Sequence, residues 1–307
     1  MLYDEIRRNK RNSFLIILIF IGFIVFAVWI YTVAYGLARG EQISLLGIAG
    51  AISFLSALLG YYSSDKIALL ATGSKEVPRE GDYKELHRVV ENLAITAGIE
   101  KPRVYIMNDA APNAFATGRN PEHAAISVTT GLLEKLNRTE LEGVIAHELS
   151  HIRNYDIRFG TIVVVFVGII AMLGDMLRRM MWYGGGMRRN SDSEERRGNP
   201  IIFIIAIAFM ILSPLIAKLI QLAMSRQREY LADASGVELT RYPEGLASAL
   251  EKISNDPAPL KSAGTATAHL FISSPLGKKS SLGNMKEWFS THPDPAKRIE
   301  RLRAMMG

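Results

Sequence analysis

His147-Glu148-Leu149-Ser150-His151 closes a segment in which Val144, Ile145, Leu149 and Ile152 recur at helical spacing. Thr139-Glu140-Leu141-Glu142 has the form of a capping box opening that helix. Positions i and i+4 of a helix share one face about one turn apart, so His147 and His151 can aim their imidazoles at a single metal ion. Glu148 is rotated from His147 by about 100°, within reach of a water at that metal but badly placed to be a ligand. Metal-assisted peptide hydrolysis needs this division of labour: two neutral imidazoles to hold the ion, and one carboxylate to take a proton from an acidified water. The alternative is a pair of partly buried histidines on an ordinary amphipathic helix, without the chemistry.

Composition narrows the setting. The chain has 307 residues, of which 49% are hydrophobic, a high share that points to a membrane protein. There is no cysteine, which removes disulfides, thiolate metal sites and cysteine nucleophiles together. Any metal must then be held by histidine or carboxylate, and the six histidines become informative. The net charge is +6, but the basic residues flank apolar runs rather than forming a patch interleaved with aromatics. They read as membrane flanks, with the lipid bilayer and not nucleic acid as the partner.

Phe14 to Tyr35 and Ile43 to Ser64 carry no charged residue. Each exceeds the roughly 20 residues a helix needs to cross a bilayer. The first run is too long for the roughly 7–15 apolar residues of a cleaved signal, and the Ala-Tyr-Gly-Leu-Ala-Arg that follows is a poor cleavage site. Arg7, Arg8, Lys10 and Arg11 precede it, whereas the connection to the second run holds only Arg39 against Glu41. The positive-inside rule therefore places the amino terminus in the cytoplasm and returns the chain there after the second span.

These boundaries divide the chain into a basic amino terminus (1–12), a pair of spans (13–64), a polar segment (65–156), a second hydrophobic pair (157–224) with a polar loop (178–199), and a polar remainder (225–307). Within 65–156, Leu86, Val89, Val90, Leu93 and Ala97 predict an amphipathic helix from about Asp82 to Gly98. Arg103 to Met107 and Ala124 to Thr129 predict strands around an extended Asn113-Ala114-Phe115-Ala116 connection. The second pair, Phe159 to Leu173 and Ile201 to Leu222, is weaker: Gly160 and Gly168 interrupt one, Pro214 and Lys218 the other. If both cross, the six arginines of their loop face outward against the usual bias; otherwise they pack on the protein or lie partly in the membrane. The expected fold is a mainly α membrane protein of two to four transmembrane helices, carrying a small α+β catalytic domain.

A catalytic zinc site has three protein ligands and one open position. Ile-Arg-Asn-Tyr-Asp-Ile-Arg follows His151, so no third histidine lies nearby. Glu229 in Ser225-Arg-Gln-Arg-Glu-Tyr-Leu-Ala-Asp233 is the best distant candidate, and Asp233, four residues on, could accept a hydrogen bond from a ligand histidine. The same two carboxylates could also belong to a solvated helix face.

Two leading spans, Asn113-Ala-Phe-Ala116, His147-Glu-Leu-Ser-His-Ile-Arg-Asn154, a hydrophobic pair, Arg228-Glu-Tyr-Leu-Ala-Asp233 and His292-Pro-Asp-Pro-Ala-Lys-Arg-Ile299 occur in that order over almost the whole chain. This ordered set resembles the HtpX family of membrane metalloproteases. The resemblance implies a zincin-type endopeptidase of the gluzincin class, with one zinc ion per subunit. It implies His147, His151 and Glu229 as ligands, Glu148 as general base and Asp233 as a support for the ligands. It further implies a multi-pass protein of the inner or plasma membrane, its active site facing the cytoplasm, that acts on membrane or misfolded proteins in stress-related quality control. By the same resemblance Asn113 to Ala116 would pair with an extended substrate as an added strand, or else serve as a plain connection. His292 and Arg298 would support the ligands or the developing oxyanion, although His-Pro before a basic helix also makes a loop and a cap. His269 falls in a segment that also resembles the family without suggesting a chemical role, and His87 and His123 read as surface or packing residues. The competing readings are a prenyl-protein endoprotease, which shares the motif but has more spans, and a membrane scaffold holding a structural metal, which needs a fourth protein ligand.

Overall fold

A computed structural model describes residues 2–34, 36–169, 226–264, 267–273 and 293–306. The apolar run 201–222, the polar loop 178–199 and His292 lie outside them.

Two helices open the chain, α1 (Leu2–Ala34) and α2 (Arg39–Ala71), and they pack on each other. Both contain stretches apolar and long enough to cross a bilayer, Ile6–Phe26 and Arg39–Ala71. Phe14, Leu18 and Trp29 of α1 and Ile43, Ile52 and Leu59 of α2 are exposed, a surface that lipid satisfies and water does not. Helix hydrogen bonding runs through the basic amino terminus from Leu2. Likewise α2 continues past Ser64 to Ala71, where buried Ala68 and Leu69 meet the next domain.

That domain is a four-stranded sheet with helices on it: β1 (Lys75–Glu76), β2 (Arg103–Met107), β3 (Ala114–Gly118) and β4 (Ala124–Thr129) stand in the order β1-β2-β4-β3. Strands β2 and β4 are parallel, the other pairs antiparallel, and β3 is therefore an edge. The amphipathic helix α3 runs Lys84–Ala97 and ends on Gly98, whose φ of 68° is cheap only without a Cβ. A short helix α4 (Thr130–Lys135) follows β4. Next comes α5 (Arg138–Arg153), with Val144, Ile145, Leu149 and Ile152 fully buried at the centre of the core between α3, the sheet and α8 (Pro243–Asn255). Its cap differs from the expected Thr139 box. The Asn137 side chain accepts from Glu140 N at 3.0 Å while the Glu140 carboxylate accepts from Asn137 N at 2.8 Å, and the Thr139 hydroxyl donates to Asn137 Oδ1. Both pairs have the same three-residue spacing; the helix starts two residues earlier, at Arg138, which makes Asn137 the cap, and the Glu142 carboxylate accepts instead from Arg138 Nε at 3.0 Å.

A further helix, α6, spans 156–169. Phe159, Ile162, Val163, Val165 and Phe166 pack it against Ile16, Phe20 and Ala57 of the membrane pair. The Phe20 and Phe166 rings stack at 4.1 Å. A Cβ on Gly60 would stand 2.8 Å from Val165 Cγ1, so the small residue is what lets α2 and α6 approach. Among the described residues two more helices pack on this domain, α7 (Arg226–Thr240) and α9 (Pro295–Ala304). The ion pair between Arg103 of β2 and Asp65 of α2, at 2.5 Å, fastens the sheet to the end of the second span.

Candidate active site

Helix α7 crosses α5 where Gly236 meets the His147 backbone; a Cβ there would lie 3.1 Å from His147 N. Two turns earlier on α7, on the same face, stands Glu229, and one turn earlier Asp233. The close crossing thus carries both carboxylates to the two histidines.

His147 Nε2 and His151 Nε2 converge to 3.2 Å. Glu229 Oε2 lies 3.8 Å from the first and Oε1 3.6 Å from the second. One atom from each of the three residues falls within 4.8 Å of the others. Tetrahedral zinc with Zn–N bonds of about 2.0–2.1 Å would set its two nitrogens about 3.3 Å apart, the spacing the two imidazoles already have, and Glu229 lies a few tenths of an ångström beyond it. The opposite ring nitrogens are tied back: His147 Nδ1 donates to Asp233 Oδ1 and His151 Nδ1 to Asp156 Oδ2, each at 3.0 Å. Both Nε2 atoms are left to face the cavity, where they could hold an ion.

Arg298 is buried beside them. It forks onto Asp233, Nε to Oδ2 at 2.9 Å and Nη2 to Oδ1 at 2.6 Å, and its Nη1 stands 3.4 Å from Glu229 Oε2 and donates to the Ile272 carbonyl. The guanidinium therefore holds the two acidic side chains of α7 in place.

Burial and charge set the protonation states. Burial pushes His147 down to about 4, with Arg298 and His151 adding to the effect against the Asp233 hydrogen bond. Burial also raises Glu148 to about 7, aided by the charge of Glu229, while His151 and a hydrogen bond from the Ala116 backbone pull the other way. For His151 burial opposes the charge, but the Asp156 hydrogen bond and the charge of Glu229 outweigh it and lift the group to about 9. Glu148, 2% exposed, sits near neutrality, where a general base works best.

Ala116, Asp156, Gly160, Arg228, His269 and Ile272 line the cavity with the three metal-binding candidates and Glu148. Its free volume is about 60 Å³, room for a few waters and an ion but not for a peptide. Along the edge of β3, the Ala114 carbonyl accepts from Ile272 N at 3.0 Å and Gly118 meets the Thr161 hydroxyl. Of the Asn113 to Ala116 segment, only Ala116 reaches the site. Phe115 packs on Phe271 with ring centres 5.3 Å apart, and Asn113 Nδ2 donates to the Ser273 carbonyl. His269 lines the cavity and contacts the Gly160 carbonyl. His87 is buried against the Val77 carbonyl, and His123 is exposed beside Asn120.

Asp156 is the residue that sequence reasoning passed over. It stands in the Ile-Arg-Asn-Tyr-Asp-Ile-Arg stretch, where a third ligand was sought and an acceptor for a ligand's second nitrogen was not. Asn9, on α1, donates to Asp156 Oδ1 at 2.7 Å, a contact across 147 positions with no sequence signal.

Residues 80–306 match Peptidase family M48. The chain is 46% identical over 304 residues to the Protease HtpX homolog of Thermoanaerobacter pseudethanolicus, covering 99% of this chain and 98% of that one. It is 47% identical over 307 residues to that of Dictyoglomus turgidum (99% and 94%) and 44% over 310 to that of Listeria monocytogenes (99% and 100%). Among solved structures, S. mikatae Ste24p aligns with a TM-score of 0.51 at 19% identity, over 98% of this chain and 67% of the other, a likeness of fold.

Proposed function

This chain belongs to peptidase family M48 and to the HtpX proteases within it, and from that premise we propose that it is a membrane metalloendopeptidase whose metal is zinc, bound by His147, His151 and Glu229. Its substrates are unfolded or membrane proteins, cleaved at the cytoplasmic face in quality control.

The convergence of the two Nε2 atoms on one carboxylate, with each Nδ1 anchored by an aspartate, carries this reading. When bound, zinc would polarise the scissile carbonyl and acidify a water. Glu148 takes the proton from that water on its carboxylate, poised near neutral pH, and returns it to the departing amine. Asp233 and Asp156 keep the imidazoles in the ligating tautomer, and Arg298 keeps Asp233 and Glu229 aligned. A scaffold with a closed structural metal is not favoured: among the described residues only these three form a metal-binding group, which leaves a coordination position open.

The contacts of α1 support this orientation. Its amino-terminal turn, with exposed Arg7 and Lys10, touches the turn beyond α5, so the catalytic unit shares the side of those basic residues, the cytoplasm by the positive-inside rule. For substrate, Ala114 and Ala116 on the β3 edge would receive an extended peptide as an added strand, once Ile272 N releases the Ala114 carbonyl.

The test is Glu148→Gln in the full-length protein. One zinc per chain should remain while cleavage of an unfolded protein falls by about 10²–10⁴-fold. Undiminished cleavage would overturn the mechanism.

A further inference from the structure

Asn9 belongs to a membrane helix, yet it is 1% exposed and faces the catalytic unit. Its amide nitrogen donates twice, to the Asn154 carbonyl at 3.0 Å and to Asp156 Oδ1 at 2.7 Å. The other oxygen of Asp156 accepts from His151 Nδ1 at 3.0 Å. One residue on, Lys10 Nζ sits 4.2 Å from the centre of the Tyr155 ring. Tyr155 itself has a φ of 60°, a conformation unfavourable for an aromatic residue and held here by contacts on either side. The turn that aims Asp156 at His151 is thus gripped from α1.

We propose that Asn9 is a positioning residue for the metal centre: by fixing the carboxylate plane of Asp156 it fixes the ring of His151, so that the first membrane helix forms part of the zinc site. This rests on the assignment of His151 as a ligand. The physical basis is the fork of a carboxylate. With Oδ1 held by the Asn9 amide, Oδ2 is left as the acceptor for His151 Nδ1–H, which turns Nε2 toward the cavity. Without Asn9 the remaining neighbour of Asp156 Oδ1 among the described residues is Arg228 Nη1 at 3.9 Å, too distant for a hydrogen bond, so the carboxylate is freer to rotate about its last bond, a broad and soft torsion, and the imidazole loses its reference.

Full-length protein in detergent tests this by zinc competition against a chelator and by the visible spectrum of the cobalt(II)-substituted site. Asn9→Leu keeps the volume and removes the amide; zinc affinity should fall about tenfold, the low end for loss of a group that orients a ligand, and the cobalt bands should shift. Ser13→Ala, one turn along α1, removes only a bond to the Asn9 carbonyl and should change neither. Asn9→Leu affinity within about twofold of wild type with an unchanged spectrum would overturn the proposal.

A swap keeps the question answerable if Asn9→Leu fails to fold. Asp156→Asn alone should bind zinc weakly, because the Asn9 amide claims the new carbonyl oxygen and turns an N–H₂ toward His151. Adding Asn9→Asp reverses the pair: the carboxylate now on α1 accepts from the amide now in the turn, whose oxygen is freed for His151 Nδ1–H, and zinc affinity should recover severalfold. A packing role for Asn9 predicts that the double variant is no better than the single, and that result would also overturn the proposal. Wild type that binds no zinc would instead refute the ligand assignment on which the proposal rests.

Discussion

His147 Nδ1 and Asp233 Oδ1 lie 3.0 Å apart with both groups buried, and the same aspartate is the partner of the buried Arg298. Substitution of Asp233 therefore acts in two ways that can be separated. Asp233→Asn leaves an oxygen to accept from His147 and should cost about tenfold in zinc affinity through lost ligand basicity. Asp233→Ala removes the bidentate partner of the buried Arg298 guanidinium and leaves it Glu229 at 3.4 Å, and breaking a buried pair from one side costs up to about 3–5 kcal/mol. The alanine variant should be depleted in the membrane fraction, while the asparagine variant accumulates normally and titrates weakly with zinc. Equal accumulation of the two would show that Glu229 and the Ile272 carbonyl suffice to hold Arg298.

The side chains that the fold gathers into a possible metal-binding group were legible in sequence because they are periodic: His147 and His151 one turn apart, Glu229 and Asp233 likewise. Such spacing survives any fold that keeps the helices. Strands β2 and β4 were legible as runs rich in β-branched residues between Pro, Gly and Asn. Asp156 and Asn9 were not, since a hydrogen bond between a turn and a membrane helix has no spacing to betray it. Arg298 was singled out only through the family resemblance, as a support for the ligands or the oxyanion; that it forks onto Asp233 depends on α9 packing against α8 and α7. The covered edge of β3 was likewise hidden, because Ile272 reaches Ala114 across 158 positions of chain and bonds it through backbone atoms that carry no residue identity.

Zinc binding should release a proton. His151 is lifted to about 9 in the metal-free fold, against about 6.5 for an unperturbed imidazole. A raised folded value stabilises the metal-free protein fully below pH of about 6.5, and that contribution is lost as pH rises through about 9. Zinc competes with the same proton, so its apparent affinity should climb up to about tenfold per pH unit between roughly 7 and 9 and then level off. Glu148 also titrates near 7, so calorimetry in buffers of different ionisation enthalpy is best done on Glu148→Gln. About one proton per zinc at pH 8 is expected, and none would mean that His151 is neutral without metal.

Metal removal should loosen the domain, because the ligands come from α5 and α7, two helices far apart in the chain. Binding to the native state alone adds about 2.7–4.1 kcal/mol at ligand concentrations of 100–1,000 times Kd. For a chain of this size that corresponds to a fall in Tm of several degrees on chelation, restored by added zinc. An unchanged Tm in protein shown to have lost its metal would mean that the carboxylate arm is held by Arg298 without help from the ion.

Gly236 separates packing from ligation. An alanine there would put its Cβ 3.1 Å from His147 N and 3.3 Å from His147 Cα, so α7 must withdraw by a few tenths of an ångström. The same change removes a glycine from a helix interior, worth about 0.8–1.0 kcal/mol in favour of alanine. The two effects are of similar size and opposite sign, so the thermal stability of metal-free Gly236→Ala should stay close to that of wild type. Zinc affinity has no such compensation. Glu229 rides on α7 two turns before Gly236, and its oxygens are already at 3.6 and 3.8 Å from the two Nε2 atoms. Withdrawal of the helix moves the third donor away from the other two, and the chelator titration should show a loss of severalfold, with hydrolysis at limiting zinc falling in parallel. Gly236→Val adds a branched side chain at the same contact and should lose both stability and zinc. If Gly236→Ala lost stability but kept full zinc affinity, the α5–α7 crossing would be a packing contact with no control over Glu229.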